Sequence, residues 1–140
     1  MAEKILARTM TLQARINKPD GLNEQLRVLF ERGKREQLLR GLDARGVPFV
    51  PLAQSTLEHH HGSTVPLVPR GEASEIITRH QVVVTATASS IEITGSWPGL
   101  DWITYHQTGG RRLPQRDPTG FRAEDKAEAM RLLREWIFLP

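Results

Sequence analysis

The chain has 140 residues, of which 39% are hydrophobic and 25% charged, the composition of an ordinary folded protein and not of a disordered one. Such a length fits one domain, and no apolar run approaches the roughly 20 residues of a membrane helix, so no membrane partner is expected. Cysteine is absent, which excludes disulfides, thiolate metal sites and a cysteine nucleophile; the net charge is +3, carried by 15 Arg and only 4 Lys.

The N-terminal "MAEKILARTM" lacks the long apolar core of a signal peptide, and synthesis in a cytosol is expected. In "MTLQARI", Leu12, Ala14 and Ile16 alternate, which suits a short strand; a helix over residues 3–14 fits almost as well. "NKPDG" reads as a turn. From Leu22 the spacing becomes helical. Leu22, Leu26, Leu29 and Phe30 make one stripe, with Asp20 placed to cap it and Leu38, Leu39 and Leu42 resuming it. Gly33 is expected to weaken or bend this helix, and Gly41 or Gly46 to end it. Arg27, Glu31, Lys34 and Arg35 are assigned to the opposite, solvated or partner-facing side.

Residues Gly46–Ser74 are rich in proline and poor in periodic apolar positions. An extended loop is expected, with one short helical turn near Gln54–Glu58. The region Ser74–Ser96 is β-rich. Val82–Thr87 is dense in β-branched residues and "SIEIT" alternates, so a hairpin turning through "ATASS" follows. Glu75–Arg79 reads as a further strand or its lead-in. A short helix over Leu100–Gln107 would stop at Gly109 or Gly110. The final helix is expected to bury Ala123, Ala127, Met130, Leu133 and Ile137, with acids at its start and arginines towards its end. Trp97, Trp102 and Trp136 are assigned to the core by default, with an interface anchor as the alternative for one at the surface. The whole reads as one α+β domain over 1–140: N-terminal helix, long proline-rich loop, small antiparallel sheet and C-terminal helix.

The segment "YHQTGGRRLPQRDPTGF", Tyr105–Phe121, is too irregular for helix or strand, and loops of this length and composition commonly carry function. His106 is the best single acid/base candidate, but no nucleophile motif accompanies it and Asp101 alone completes no triad. A backbone-holding role for His106 and Gln107 is the simpler reading. "TGGRRLPQR" offers amides and cations to phosphate, yet it matches neither GxxxxGK[ST] nor GxGxxG. Nucleic-acid backbone bound by Arg111, Arg112 and Arg116 is therefore kept as an alternative, with only Tyr105 and Phe121 for stacking. The adjacent His59, His60 and His61 cannot readily converge on one ion from a regular element, and surface placement is their plain reading. No catalytic residue, cofactor or metal is assigned.

Four segments then carry a family resemblance. Gly46, Pro51 and Leu52 fit a G-x-x-W-x-P-L pattern, with Phe49 at the tryptophan. Leu67 and Gly71 fit L-x-x-x-G-x-L. Tyr105, His106, Gln107, Gly109 and Gly110 fit an aromatic–HQFGG motif, with Thr108 at its aromatic. Pro114, Arg116 and Gly120 fit P-x-R-x-x-x-G, with Pro118 and Thr119 where bulkier apolar residues are common. In this order, over roughly Leu22–Ile137, the segments resemble the phage virion morphogenesis family, related to the tail completion proteins of tailed phages. The resemblance implies a structural protein without enzymatic activity, placed in the virion neck or tail and present in the host cytoplasm during assembly. It implies self-association in a ring, with six copies matching tail symmetry. Neighbouring neck or tail proteins would be its partners, with weak contact to DNA in the channel. A ring subunit needs two complementary surfaces. Gly46–Ser74 and Tyr105–Phe121 are the loops expected to supply them, with Arg116, Arg112, Arg111, Pro114, Gly120 and Phe121 as interface or loop residues and Arg116 reaching a neighbour.

Overall fold

A computed structural model describes residues 8–13, 19–57, 63–86, 90–110 and 112–138; for 8–13, 19–20 and 137–138 the description is of the backbone. The architecture is α+β. Strand β1 (Arg8–Gln13) is followed by helix α1 (Pro19–Leu39), the helical turn α2 (Gln54–Leu57), a 3-10 turn (Gly71–Ala73) and the short helix α3 (Glu75–Thr78). Strands β2 (Gln81–Ala86) and β3 (Ser90–Ser96), helix α4 (Trp102–Thr108) and helix α5 (Ala123–Phe138) complete it.

The sheet is antiparallel with order β1-β3-β2. Its register sets Val82 opposite Gly95, Val84 opposite Ile93 and Ala86 opposite Ile91. Val82, Ile91 and Ile93 are buried and belong to the core cluster that α1 supplies, whereas Val83, pointing the other way, is 53% exposed. This is the period-2 consequence of a sheet packed on one face. Over residues 8–13 the N-terminal segment is a strand and not a helix; residues 3–7 and 14–16, on which the rest of both expectations falls, lie outside the described residues. Residues 87–89, which join β2 to β3, lie outside the described residues.

Helix α1 runs without a break through Gly33. It opens on Pro19, whose missing amide costs nothing at a first helical position, so Asp20 falls within the first turn rather than ahead of it. It closes with Gly41 at φ 69°, the Gly41 amide bonding Leu38 O and the Leu42 amide bonding Gln37 O. That pair of bonds is a Schellman ending.

The core has two clusters, and α1 feeds both. Leu22, Leu26, Leu29 and Phe30 meet the sheet, Phe121, Ala129 and Leu133 in one. Leu38 meets Phe49, Leu67, Val68, Ile76, Trp97 and Ile103 in the other. Trp97 is buried and donates its indole N–H to Ile76 O at 2.7 Å, so its polar atom is satisfied. Trp102 and Trp136 are only half-buried.

Three expectations are corrected. Glu75–Thr78 is helical, not extended: the Ile77 and Thr78 amides both bond Ser74 O, and Ile76 is fully buried from that turn. In α5 Leu133 is buried as expected, but with Asp125 and Ala129 at i, i+4 and i+8; Ala123 and Ala127 face solvent, Met130 is half-buried, and the Ile137 side chain lies outside the described residues. Lys34 does not share the solvated side of α1. It is 3% exposed, on the apolar stripe between Phe30 and Leu38.

Candidate functional site

The region 41–52 leaves α1 in a tight return. Gly46 adopts φ 83°, Asp43 and Val47 are joined by an amide–carbonyl bond of 2.9 Å, and the Phe49 amide bonds Gly41 O at 2.8 Å. This aims Phe49 into the second core cluster and leaves Pro51 and Leu52 on a cleft wall. Farther along, Leu67 lies in the left-handed region at φ 68°, uncommon for a side-chain-bearing residue. Its side chain is buried against the same cluster, and Pro69 adds to the wall.

Helix α4 stops at Gly109, φ 71°, whose amide bonds Tyr105 O at 2.9 Å. A β-carbon there would stand 2.9 Å from the Gln115 amide nitrogen, so glycine is required by both conformation and space. Gly110 and Leu113 exchange backbone bonds of 2.7 and 3.3 Å and close a tight turn. The chain then returns along α4. The Arg116 amide bonds His106 O at 2.8 Å, and the Gln115 side-chain amide bonds Gln107 O at 3.0 Å. The loop backbone is thus pinned through the carbonyls of His106 and Gln107. His106 Nδ1 and Gln107 Oε1 are buried atoms without a hydrogen-bond partner among the described residues. The His106 ring stands edge-on to Trp102 at 5.6 Å. Burial, with help from the Arg116 charge, lowers its pKa and keeps the imidazole neutral.

Arg116 was expected to reach a neighbouring subunit. It is turned inward instead, 6% exposed, with Nε donating to Val50 O at 2.7 Å and a terminal nitrogen donating to Pro51 O at 3.0 Å. The planar fork suits two successive carbonyls. Burial pushes the guanidinium below its ordinary value, and an arginine side chain keeps its charge in proteins.

The end of the loop is held just as firmly. Asp117 Oδ1 accepts from the Thr119 amide at 3.0 Å and from its hydroxyl at 2.6 Å. Lys34 Nζ donates to Pro118 O at 2.7 Å, Gly120 O at 2.5 Å and Gln37 Oε1 at 3.0 Å. Three acceptors meet the three donors of an ammonium. Burial nonetheless draws the Lys34 pKa down to about 7, with Asp117 and Asp125 opposing and Arg122 assisting. Phe121 is buried and packs on Phe30 at 4.7 Å.

The consequence is that the four motif segments converge. Pro51 and Leu52, Leu67, His106, and Pro114 and Arg116 together line one cleft of about 480 Å³, completed by Trp102, Arg112 and Leu113. Its cations are Arg112, which is exposed, and Arg116, and among the described residues no carboxylate lines it. Tyr105 is 67% exposed on the surface of α4. Arg111 and His59, His60 and His61 lie outside the described residues. Among the described residues, no group of three or more His, Asp or Glu could hold a metal ion, and no helix is long and apolar enough to cross a membrane. Trp102 and Leu113 were not singled out for this site, though Trp102 and His106 stand at i and i+4 and so share a helix face.

Comparison of the chain with family models, with curated proteins and with solved structures returns no match.

Proposed function

We propose that the chain is a structural virion protein of a tailed phage, acting at the neck or in tail completion as one subunit of a ring, with six copies as the expected closure. It performs no catalysis in this reading, and its partners are further copies of itself and adjoining neck or tail proteins. The supporting observation is the convergence of the four motif segments on one cleft, with Arg116 linking the fourth segment to the first. Segments so far apart in sequence give a shared surface when each is rigidly placed, which is what an assembly subunit has to present. The loops serve that surface by shaping it from inside, not by reaching out as flexible arms.

The alternative is a small nucleic-acid-binding module. Against it, Arg27, Arg35, Arg45, Arg79, Arg122 and Arg131 are each paired with a carboxylate, which reduces the positive field available to phosphates. Light scattering at rising protein concentration, with electron microscopy of the largest species, tests the two readings. Closed rings of uniform copy number are expected. A monomer at every concentration that binds duplex or single-stranded nucleic acid in a salt-dependent way would replace the ring with the alternative.

A further inference from the structure

The cleft has a composition that specifies its occupant. Leu52, Leu67, Trp102 and Leu113 make its walls apolar, and the prolines at 51, 69 and 114 make them stiff. Set into these walls are two guanidinium groups that have no opposite charge beside them among the described residues. Arg112 is exposed and makes no ion pair among the described residues. Arg116 is held by two neutral carbonyls, which take two of its donors and bring no opposite charge. Arg27, by contrast, pairs with Glu24 and Glu31, and Arg131 with Glu128 and Glu135.

We propose that this cleft is a docking site for an apolar peptide segment bearing a carboxylate, supplied by another protein. The apolar walls take the peptide's aliphatic or aromatic side chains, and its Asp or Glu lies against Arg112 with the Arg116 charge behind. A carboxylate fits a guanidinium bidentately, and a partly desolvated one gains more than it would in water. The walls are preformed, so little ordering free energy is lost on binding. A cleft of about 480 Å³ is within the ordinary range for a ligand site. A phosphate backbone fits less well, because nucleic acid engages a track of cations with open stacking faces, whereas here the two cations share an apolar recess and Trp102 already meets His106. The cleft offers this chemistry whether or not the chain closes into a ring.

Fluorescence anisotropy with labelled octapeptides tests it. One set alternates Leu or Trp with Asp or Glu, a second has Asn or Gln at the acidic positions, and a third has Lys there. A single-stranded oligonucleotide of twelve bases is the fourth probe. The acidic set is expected to bind at least tenfold more tightly than the amide set, with affinity falling as salt rises. Arg112→Glu should lower that affinity at least tenfold. Thr56→Trp, on the exposed rim of the cleft, should abolish it, while both variants keep the wild-type circular dichroism and melting curve. The proposal is overturned if no peptide binds, if acidic and amide sets bind alike, or if Arg112→Glu binds as wild type. Tighter binding of the oligonucleotide than of any acidic peptide would also overturn it, as would a Thr56→Trp variant that loses only self-association.

Discussion

A β-carbon on Gly33 would stand 2.1 Å from Oδ2 of Asp125. The glycine is therefore what lets the α5 carboxylate approach the backbone of α1. Arg122 closes the arrangement, with Nε and a terminal nitrogen bonding the two carboxylate oxygens at 2.7 and 2.9 Å and further contacts to Glu36 and Glu124. Its guanidinium is held above its ordinary pKa chiefly by the Asp125 hydrogen bonds.

Gly33→Ala should consequently destabilise the protein, although alanine inside a helix normally stabilises by about 0.5–1 kcal/mol relative to glycine. Overpacking of this kind costs about 1–3 kcal/mol. Urea denaturation is the measurement, and adding Asp125→Ala to Gly33→Ala should cost less than the two single losses summed, because the clash is then gone. A fully additive double variant would show that the two positions are not coupled.

Lys34 joins α1 to the end of the 105–121 loop through Pro118 O and Gly120 O. Lys34→Met removes a desolvated charge but leaves two carbonyls short of a donor, and the second effect should dominate by about 1–3 kcal/mol. Amide hydrogen exchange should rise first over 116–121. The pH dependence has a definite sign. A lysine near 10.5 unfolded and about 7 folded binds its proton more weakly in the native state. Its contribution to stability thus rises from pH 7 to 10.5 and falls as pH drops towards 7. Melting curves across this window should climb in the wild type and flatten in Lys34→Met.

Sequence periodicity made most of the frame legible: α1, the β2–β3 hairpin, α4 and α5 follow from spacing, caps and β-branched runs. Lys34 was misplaced because residue type outweighed position. Leu26, Phe30, Lys34 and Leu38 recur at intervals of four, so the spacing alone sets Lys34 on the buried stripe. Ile76 and Ile77 suggested a strand because both are β-branched, but a hydrogen-bonded turn from Ser74 prevailed. The motif residues were visible one by one. Their convergence was not, since it depends on contacts such as Arg116 to Val50, separated by 66 positions, that no local pattern encodes.

His80 lies against Trp97 at 4.9 Å, and its Nε2 is buried without a hydrogen-bond partner among the described residues. Burial, then the Lys34 charge, draws its pKa from 6.5 to about 3. The unfolded chain therefore gains a proton between pH 6.5 and 3 that the native state refuses, and stability falls as pH drops through that window. In His80→Phe this acid limb should be shallower by a few kcal/mol, on the scale of about 1.36 kcal/mol for each pKa unit. Thermal melts at intervals from pH 3 to 7 decide it, and an unchanged limb would remove His80 as its source.

Arg116 and Arg112 should separate fold from surface. Arg116→Ala strips Val50 O and Pro51 O of a charged donor inside the protein and is expected to cost about 2–4 kcal/mol. Arg116→Lys should recover little, because an ammonium cannot span two carbonyls in the fixed geometry of the fork. Arg112→Ala touches an exposed side chain without an ion pair among the described residues, and should leave stability within about 0.5 kcal/mol. Urea midpoints for the three variants test the division. Equal losses at 112 and 116 would mean that the fourth motif segment is not anchored through its arginine, and assembly defects seen with Arg116 variants could then be read as surface effects. With the expected inequality, only Arg112 reports on the surface.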